Sequence, residues 1–148
     1  MKILVLAGTL VCLALSAFAA PQNAGTNLAQ KLVNEAHAKH PEASEIGIAT
    51  IGSKGCTTIA STDKKDIGEK CEAEDSEPIR TGKPHVDKEG KNFDVTLPLR
   101  DQSGKTVGSV GIELPPKSGE TQADVVKRVQ GIAKEIEAGI PSKASLTQ

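Results

Sequence analysis

The stretch NFDVTLPLRDQSGKTVGSVGIEL, residues 92–114, decides the fold. Hydrophobic and polar side chains alternate along residues 93–99, which is typical of a strand with one buried face. Residues 101–104 have the composition of a turn, and residues 107–114 again place hydrophobic side chains at every second position. The stretch therefore predicts a β-hairpin whose two strands share one apolar face, and that face is the expected core of the protein.

Two more strands are predicted before the hairpin, at residues 45–51 and 56–61, with a tight turn between them. A short third strand is predicted around residues 84–86, where prolines keep it at the edge of the sheet. The charged segment before it, residues 69–77, carries little apolar surface and is expected to form a lid or a surface excursion. Short links between consecutive strands favour an antiparallel arrangement.

Helical patterns flank the predicted sheet. One stripe of hydrophobic residues follows Asn27, a suitable N-cap, and Pro41 ends that helix near His40. A second stripe follows Thr121, which can cap the final helix, and Gly139 ends it. The predicted fold class is α+β, a five-stranded antiparallel sheet with N-terminal and C-terminal helices.

Composition narrows the class of protein. The chain has 148 residues, 37% hydrophobic and only 1% aromatic, with a net charge of −1. One domain with an aliphatic core fits these values. Nucleic-acid binding is not expected, because the chain lacks both a basic field for phosphates and aromatic platforms for bases.

The N-terminus resembles a secretory signal peptide at residues 1–19, in which a lysine precedes an apolar run and Ala17 and Ala19 provide a cleavage pattern. The alternative is an uncleaved membrane anchor. Cleavage predicts a secreted or periplasmic protein without a membrane span. It leaves a flexible leader at residues 20–26, one domain at residues 27–140 and a C-terminal tail at residues 141–148.

Cys56 and Cys71 are the cysteines that remain after cleavage. In an oxidising compartment they form either a disulfide or two separate thiols. A disulfide closing a loop of about 15 residues would stabilise the fold by roughly 3 kcal/mol on the chain-entropy model.

The order and spacing of several short segments resemble an extracytoplasmic Cache domain, the PAS-like sensor module of bacteria. These segments are the strand at residues 45–51, CTTIASTD at 56–63, IG at 67–68, IRTGK at 79–83, VTLPLRD at 95–101 and GKTVG at 104–108. The resemblance implies an N-terminal helix packed behind the sheet. It also implies a small-molecule pocket on the other face, closed by the excursion between the second and third strands. The chain departs from the family in ending at Gln148 without a second span or an output domain, so a stand-alone version is expected.

Four basic residues are the candidate ligand-binding set: Arg80, Lys83, His85 and Arg100. Arginine suits bidentate carboxylate binding, so the predicted ligand is a small anionic metabolite. No catalytic motif, phosphate-binding glycine loop or metal-ligand set is evident, and the protein is predicted not to be an enzyme. The alternative is a secreted protein-interaction module that uses an exposed sheet edge or residues 69–77 and binds no small ligand.

His37 and His40 lie near the end of the first predicted helix, at a spacing that metal ligands use. The favoured interpretation is that the imidazoles interact with the helix C-terminus. No cofactor is predicted, although the two histidines leave noncovalent haem open. The protein partner is not predicted.

Overall fold

The computed structural model describes residues 27–148, so the predicted signal peptide at 1–19 and the leader at 20–26 lie outside the described residues. The elements are α1 (Leu28–Lys39), β1 (Glu45–Gly52), β2 (Gly55–Ser61), α2 (Ala73–Thr81), β3 (His85–Glu89), β4 (Asn92–Arg100), β5 (Thr106–Leu114), α3 (Gln122–Ala138) and a short 3-10 helix (Lys143–Thr147). Over residues 27–148, no helix combines the length and apolar character needed to cross a membrane.

The five strands form one antiparallel sheet in the order β2-β1-β5-β4-β3. The hairpin predicted from residues 92–114 is β4 and β5, which lie at the centre of this order beside β1. Short connections join β1 to β2, β3 to β4 and β4 to β5, so those pairs are neighbours as expected. The predicted α+β fold class is confirmed.

The core lies between one face of the sheet and the helices α1 and α3. Val95 of β4 and Val110, Ile112 and Leu114 of β5 are fully buried on this face. They pack with hydrophobic residues of both helices, including Val129 of α3, in one aliphatic cluster. The alternation in residues 92–114 therefore identified the buried face correctly.

Both predicted helix caps are present. The Asn27 side chain accepts a hydrogen bond of 2.9 Å from the Gln30 amide at the start of α1. At the start of α3, the Thr121 hydroxyl accepts from the Asp124 amide and the Asp124 carboxylate accepts from the Thr121 amide. These bonds satisfy amides that lack partners within the helix.

Cys56 and Cys71 form a disulfide, which decides between the two alternatives that the sequence left open. Cys56 lies on β2 at one edge of the sheet. Cys71 lies one residue before Glu72, the N-cap of α2. The disulfide therefore ties the beginning of α2 to the sheet.

Three predictions of local structure were incomplete. Most of the charged excursion at residues 69–77 is not irregular, because Ala73–Thr81 forms the helix α2. The third strand runs over His85–Glu89 rather than around residues 84–86, although it does lie at the sheet edge. The segment assigned to a C-terminal tail, 141–148, packs on the domain, because Leu146 is fully buried.

Candidate functional site

A cavity of about 260 Å³ lies between the second face of the sheet and the segment that contains α2. Its floor is formed by β1, β4 and β5, where Gly47, Thr96 and Gly111 replace the larger residues of the core face. Its roof includes Glu72, Glu74 and nearby residues of the crossover between β2 and β3. The resemblance to a Cache domain implied a pocket in this position, beneath the segment between β2 and β3.

The cavity wall is strongly acidic. Only one lysine, Lys70, is among the lining residues. The carboxylate residues of the lining are Glu45, Asp66, Glu69, Glu72, Glu74, Asp75, Glu89, Asp94 and Glu113. Oxygen acceptors therefore outnumber the charged donors of the wall by a wide margin.

Strand register explains why so many of these carboxylates meet. Asp87 on β3 lies directly opposite Asp94 on β4, Asp94 lies opposite Glu113 on β5, and Glu113 lies opposite Glu45 on β1. Directly opposed residues of antiparallel strands project from the same face. We call these four side chains the carboxylate row. Like charges directly opposite one another destabilise a sheet, so repulsion within the carboxylate row lowers the stability of the folded protein.

Two members of the carboxylate row have strongly perturbed pKa values. Burial, together with the nearby carboxylates of Asp66, Asp94 and Glu113, raises the pKa of Glu45 to about 7. Burial, followed by the charge of Glu74 and other carboxylates, raises the pKa of Asp94 to about 6. Both shifts have the same cause, since desolvation and neighbouring negative charge disfavour the ionised form.

Cations of the protein do not neutralise this wall. Among residues 27–148, none of the nine lining carboxylates forms an ion pair with Lys, Arg or His within 4.0 Å. Glu113 has a neutral donor instead, because Asn92 Nδ2 donates to Glu113 Oε1 over 2.8 Å. Buried or partly buried charges are normally paired, so the wall is chemically suited to receive a cation from outside.

The four basic residues predicted to bind a ligand lie outside the lining of this cavity. Arg80 and Lys83 are exposed. Arg100 donates from Nη1 to the Gly104 carbonyl oxygen over 3.1 Å, within its own hairpin. His85 lies 2.8 Å from Asp87, measured from Nε2 to Oδ2, and the hydrogen bond to this carboxylate is the main cause that raises the pKa of His85. Arg100 Nη2 comes close to the segment that holds Arg80 and Lys83, 4.0 Å from the position of a Cβ on Gly82, but none of the four basic residues lines the cavity.

His37 and His40 also lie away from the cavity. His37 Nε2 is 3.1 Å from the Ala43 carbonyl oxygen, next to the C-terminus of α1. His40 Nε2 is 3.2 Å from Glu135 Oε1 on α3. Neither of these two contacts is with a carbonyl group of α1, so the predicted interaction of the imidazoles with the helix C-terminus stays a prediction.

The acidic residues of the strands were not predicted as site residues, because a strand is predicted from the hydrophobic residues on its buried face. Asp94 and Glu113 occupy the opposite face of the predicted hairpin, and pairing its strands across the predicted turn would have brought them together. In the sequence, Glu45 is distinguished only by its position as the first residue of a predicted strand. Its position beside Glu113 depends on the pairing of β1 with β5, two strands separated by more than fifty residues.

A second depression, of about 400 Å³ and more open, lies between α3 and the link from α2 to β3. Leu97, Pro98 and Ala133 form much of its surface, with Lys134 and Glu137 at its side. Its polar side chains are Gln130, Lys134 and Glu137, far fewer than those of the acidic cavity, so the smaller acidic cavity is the better candidate site.

Comparison with solved structures supports the fold. The Agobacterium tumefaciens repressor BlcR aligns with 76% of this chain and 67% of its own, at 11% identity and a TM-score of 0.53. The GAF domain of an Acinetobacter phosphoenolpyruvate-protein phosphotransferase aligns with 79% of this chain and 84% of its own, at 11% identity and a TM-score of 0.51. Pseudomonas aeruginosa HmgR aligns with 77% of this chain and 65% of its own, at 14% identity and a TM-score of 0.51.

The likeness to these proteins is one of fold, a GAF-like arrangement of sheet and helices. No protein-family model matches the sequence, and the search among curated proteins found no match. Membership of the Cache family stays a prediction, since fold likeness at this level of identity does not choose among families that share a sheet of this kind.

Proposed function

We propose that this chain is an extracytoplasmic small-molecule-binding domain of the sensor kind, which binds a small organic cation and catalyses no reaction. The observation that carries the proposal is the cavity between α2 and the sheet, with its nine carboxylates and single lysine. A concave site with convergent polar groups and perturbed pKa values is the usual position of a ligand. Here the convergent groups are carboxylates, which accept hydrogen bonds and all carry negative charge when ionised.

The proposed ligand carries N–H donors. Quaternary ammonium groups are commonly held by aromatic faces, and this cavity has no aromatic residue in its lining. Phe93, the single aromatic residue of 27–148, packs against the aliphatic core on the other face of the sheet. Primary amines and guanidinium groups instead donate hydrogen bonds to carboxylates, which is the chemistry that this wall offers.

The spread of the carboxylates favours an extended cation over a bare metal ion within the cavity. Among residues 27–148, the one trio of His, Cys, Asp or Glu with ligand atoms within 4.8 Å of one another is Glu74, His85 and Asp87, of which only Glu74 lines the cavity. The other carboxylates do not gather around a single point. A small aliphatic diamine or polyamine, with its charges separated along a chain, matches that distribution.

An anionic metabolite, the ligand predicted from the sequence, has no support from the wall of this cavity. Its negative charge would add to the repulsion within the carboxylate row, and the basic residues proposed to hold it lie elsewhere. We therefore propose a cationic ligand in place of an anionic one.

Export from the cytoplasm is part of the proposal. The pattern of residues 1–19 supports it, and so does the disulfide between Cys56 and Cys71, because structural disulfides persist in oxidising compartments. The alternative of a protein-interaction module would be favoured by a large exposed apolar patch. Among the described residues, the single large hydrophobic residue that is exposed is Ile67, at 41%.

The test is a thermal-shift and calorimetric titration of the purified protein with putrescine and spermidine. Succinate and choline are the comparison compounds, the first an anion and the second a cation without N–H donors. We expect the melting temperature to rise with the amines and to stay constant with the other two, because binding to the native state alone stabilises it.

Variants of the carboxylate row test whether the amines bind in this cavity. Glu45→Gln and Glu113→Gln remove charges from the carboxylate row, and each should lower amine affinity several-fold. Glu35→Gln is the matched control, since Glu35 lies on the exposed side of α1 beside Lys31 and outside the cavity. A response to succinate and not to the amines would return the ligand to the anionic class, and no response to any compound would favour the interaction module.

A further inference from the structure

At the rim of the cavity, three potential metal ligands from two elements come together. Glu74 belongs to the first turn of α2, while His85 and Asp87 belong to β3. One ligand atom of each side chain lies within 4.8 Å of the corresponding atoms of the other two. Glu74 and His85 are half-buried, and Asp87 is exposed.

The local backbone explains this convergence. His85 and Asp87 are separated by one residue in an extended strand, so their side chains project from the same face of β3. Their side chains are in direct contact, with His85 Nε2 2.8 Å from Asp87 Oδ2. This face of β3 continues the cavity face of the sheet, because Asp87 is the end member of the carboxylate row. The first turn of α2 then brings Glu74 to the same point from the roof.

The surroundings carry an excess of negative charge. Asp75 and Asp94 lie close enough to influence this region, and over residues 27–148 neither has a basic partner within 4.0 Å. A cation at the trio would offset the repulsion among all of these carboxylates. The imidazole nitrogen makes the donor set mixed, whereas Ca²⁺ and Mg²⁺ are held by oxygen ligands.

We propose that Glu74, His85 and Asp87 form a binding site for a divalent transition metal of the Zn²⁺ class. One imidazole nitrogen and two carboxylate oxygens suit Zn²⁺ with a water molecule as the fourth ligand. The ion takes the place of the proton between His85 and Asp87. Bonds of about 2.0–2.1 Å in tetrahedral geometry require the distance between Nε2 and Oδ2 to widen from 2.8 Å to roughly 3.3 Å.

The bound metal would clamp α2 to the edge strand β3, at the end of the helix where the disulfide already ties it to β2. The roof of the cavity would then be fixed to both edges of the sheet. Of the three metal ligands only Glu74 lines the cavity, so the metal site and the proposed amine site share that one residue, while His85 and Asp87 lie outside the lining.

The experiment is a calorimetric titration of the EDTA-treated, dialysed protein with ZnCl₂, with CaCl₂ as the comparison. We expect saturable binding of one Zn²⁺ per chain and much weaker binding of Ca²⁺. His85→Gln should reduce the Zn²⁺ affinity at least tenfold, and Asp87→Asn and Glu74→Gln should each reduce it. His40→Gln is the matched control, since His40 also lies beside a glutamate but on the opposite face of the molecule.

A second readout uses the unmodified protein and does not depend on the folding of a variant. Zn²⁺ should shift the ring ¹⁵N resonance of His85 and leave those of His37 and His40 in place. Zn²⁺ binding that is non-saturable, that persists in His85→Gln, or that leaves the His85 resonance unmoved would overturn the site. The two proposals fail separately, because Glu45→Gln should weaken amine binding and retain Zn²⁺, whereas His85→Gln should do the reverse.

Discussion

Gly108 shows how closely the strands approach at the centre of the sheet. A Cβ atom built on this glycine of β5 would overlap the carbonyl oxygen of Ala49 on the neighbouring strand β1. The backbone of two paired strands has little freedom to move apart, because both are fixed by their other neighbours. A side chain at this position therefore forces a shift of the sheet.

Gly108→Ala is expected to destabilise the protein by about 1–3 kcal/mol, the usual cost of overpacking a well-packed interior. Urea unfolding measures the change. Gly131→Ala is the matched control, since Gly131 is exposed on α3 with nothing within 4 Å of its Cβ position. That change should stabilise the protein by about 0.5–1 kcal/mol through helix propensity. Equal stability of the two variants would contradict the close approach.

The roles of single residues were well predicted where one local interaction determines the role. Asn27 and Thr121 were identified as caps because a side-chain oxygen before a hydrophobic stripe has one favourable role. Arg80 and Arg100 were assigned to a ligand site for their chemistry alone. Their positions depend on which way the strands and α2 face, and a single charged side chain gives no signal of that.

At the scale of elements, α2 is the one α-helix of residues 27–148 that the sequence did not predict. Its nine residues contain Pro78, which is also the one residue of the helix that is buried. Helix prediction depends on an apolar stripe, and α2 has none. The helix is stabilised instead by the Asp75 carboxylate, which accepts a hydrogen bond of 3.2 Å from the Glu72 amide, by a left-handed Gly82 at its end and by the disulfide just before it.

Removal of the disulfide should affect this element first. Cys56→Ser with Cys71→Ser is expected to lower the free energy of unfolding by up to about 3 kcal/mol, since the bond closes a loop of 15 residues. Amine affinity should also fall, because the roof of the cavity loses its attachment to β2. Chemical denaturation and calorimetry measure the two effects. A variant with wild-type affinity would show that the roof does not need the bond.

At the scale of the whole molecule, the sheet and its two long helices were predictable because their signals are periodic and local. Strand order was not encoded in any one segment. β1 pairs with β5 across more than fifty residues, and this pairing places Glu45 beside Glu113. The charge of the cavity is therefore a property of the assembled sheet, which is why no single segment of the sequence indicated an acidic wall.

The stability of the whole domain should depend on pH in a direction set by Glu45. Its pKa is raised from 4.5 to about 7 in the folded protein, so the native state holds this proton more tightly than the unfolded chain. The free energy of unfolding should therefore fall as pH rises from about 4.5 through 7. Denaturation in EDTA at pH 5 and pH 8 should show higher stability at pH 5.

Glu45→Gln should make this fall smaller, because glutamine has no proton to lose, while Glu35→Gln should leave it unchanged. An unchanged pH dependence in Glu45→Gln would mean that Glu45 titrates normally. Amine binding should show the opposite trend and strengthen as pH rises, since the ionised carboxylates attract the ligand more strongly.

The carboxylate row gives the empty and the filled domain different mechanical characters. The four carboxylates lie on four neighbouring strands, so their repulsion strains the sheet laterally, and the proposed cation would relieve this strain. We therefore expect binding of the proposed cation to stiffen the sheet. Amides of β4 and β5 should exchange their hydrogens with solvent more slowly once the strain is relieved, and a neighbouring molecule that senses rigidity could distinguish the two forms.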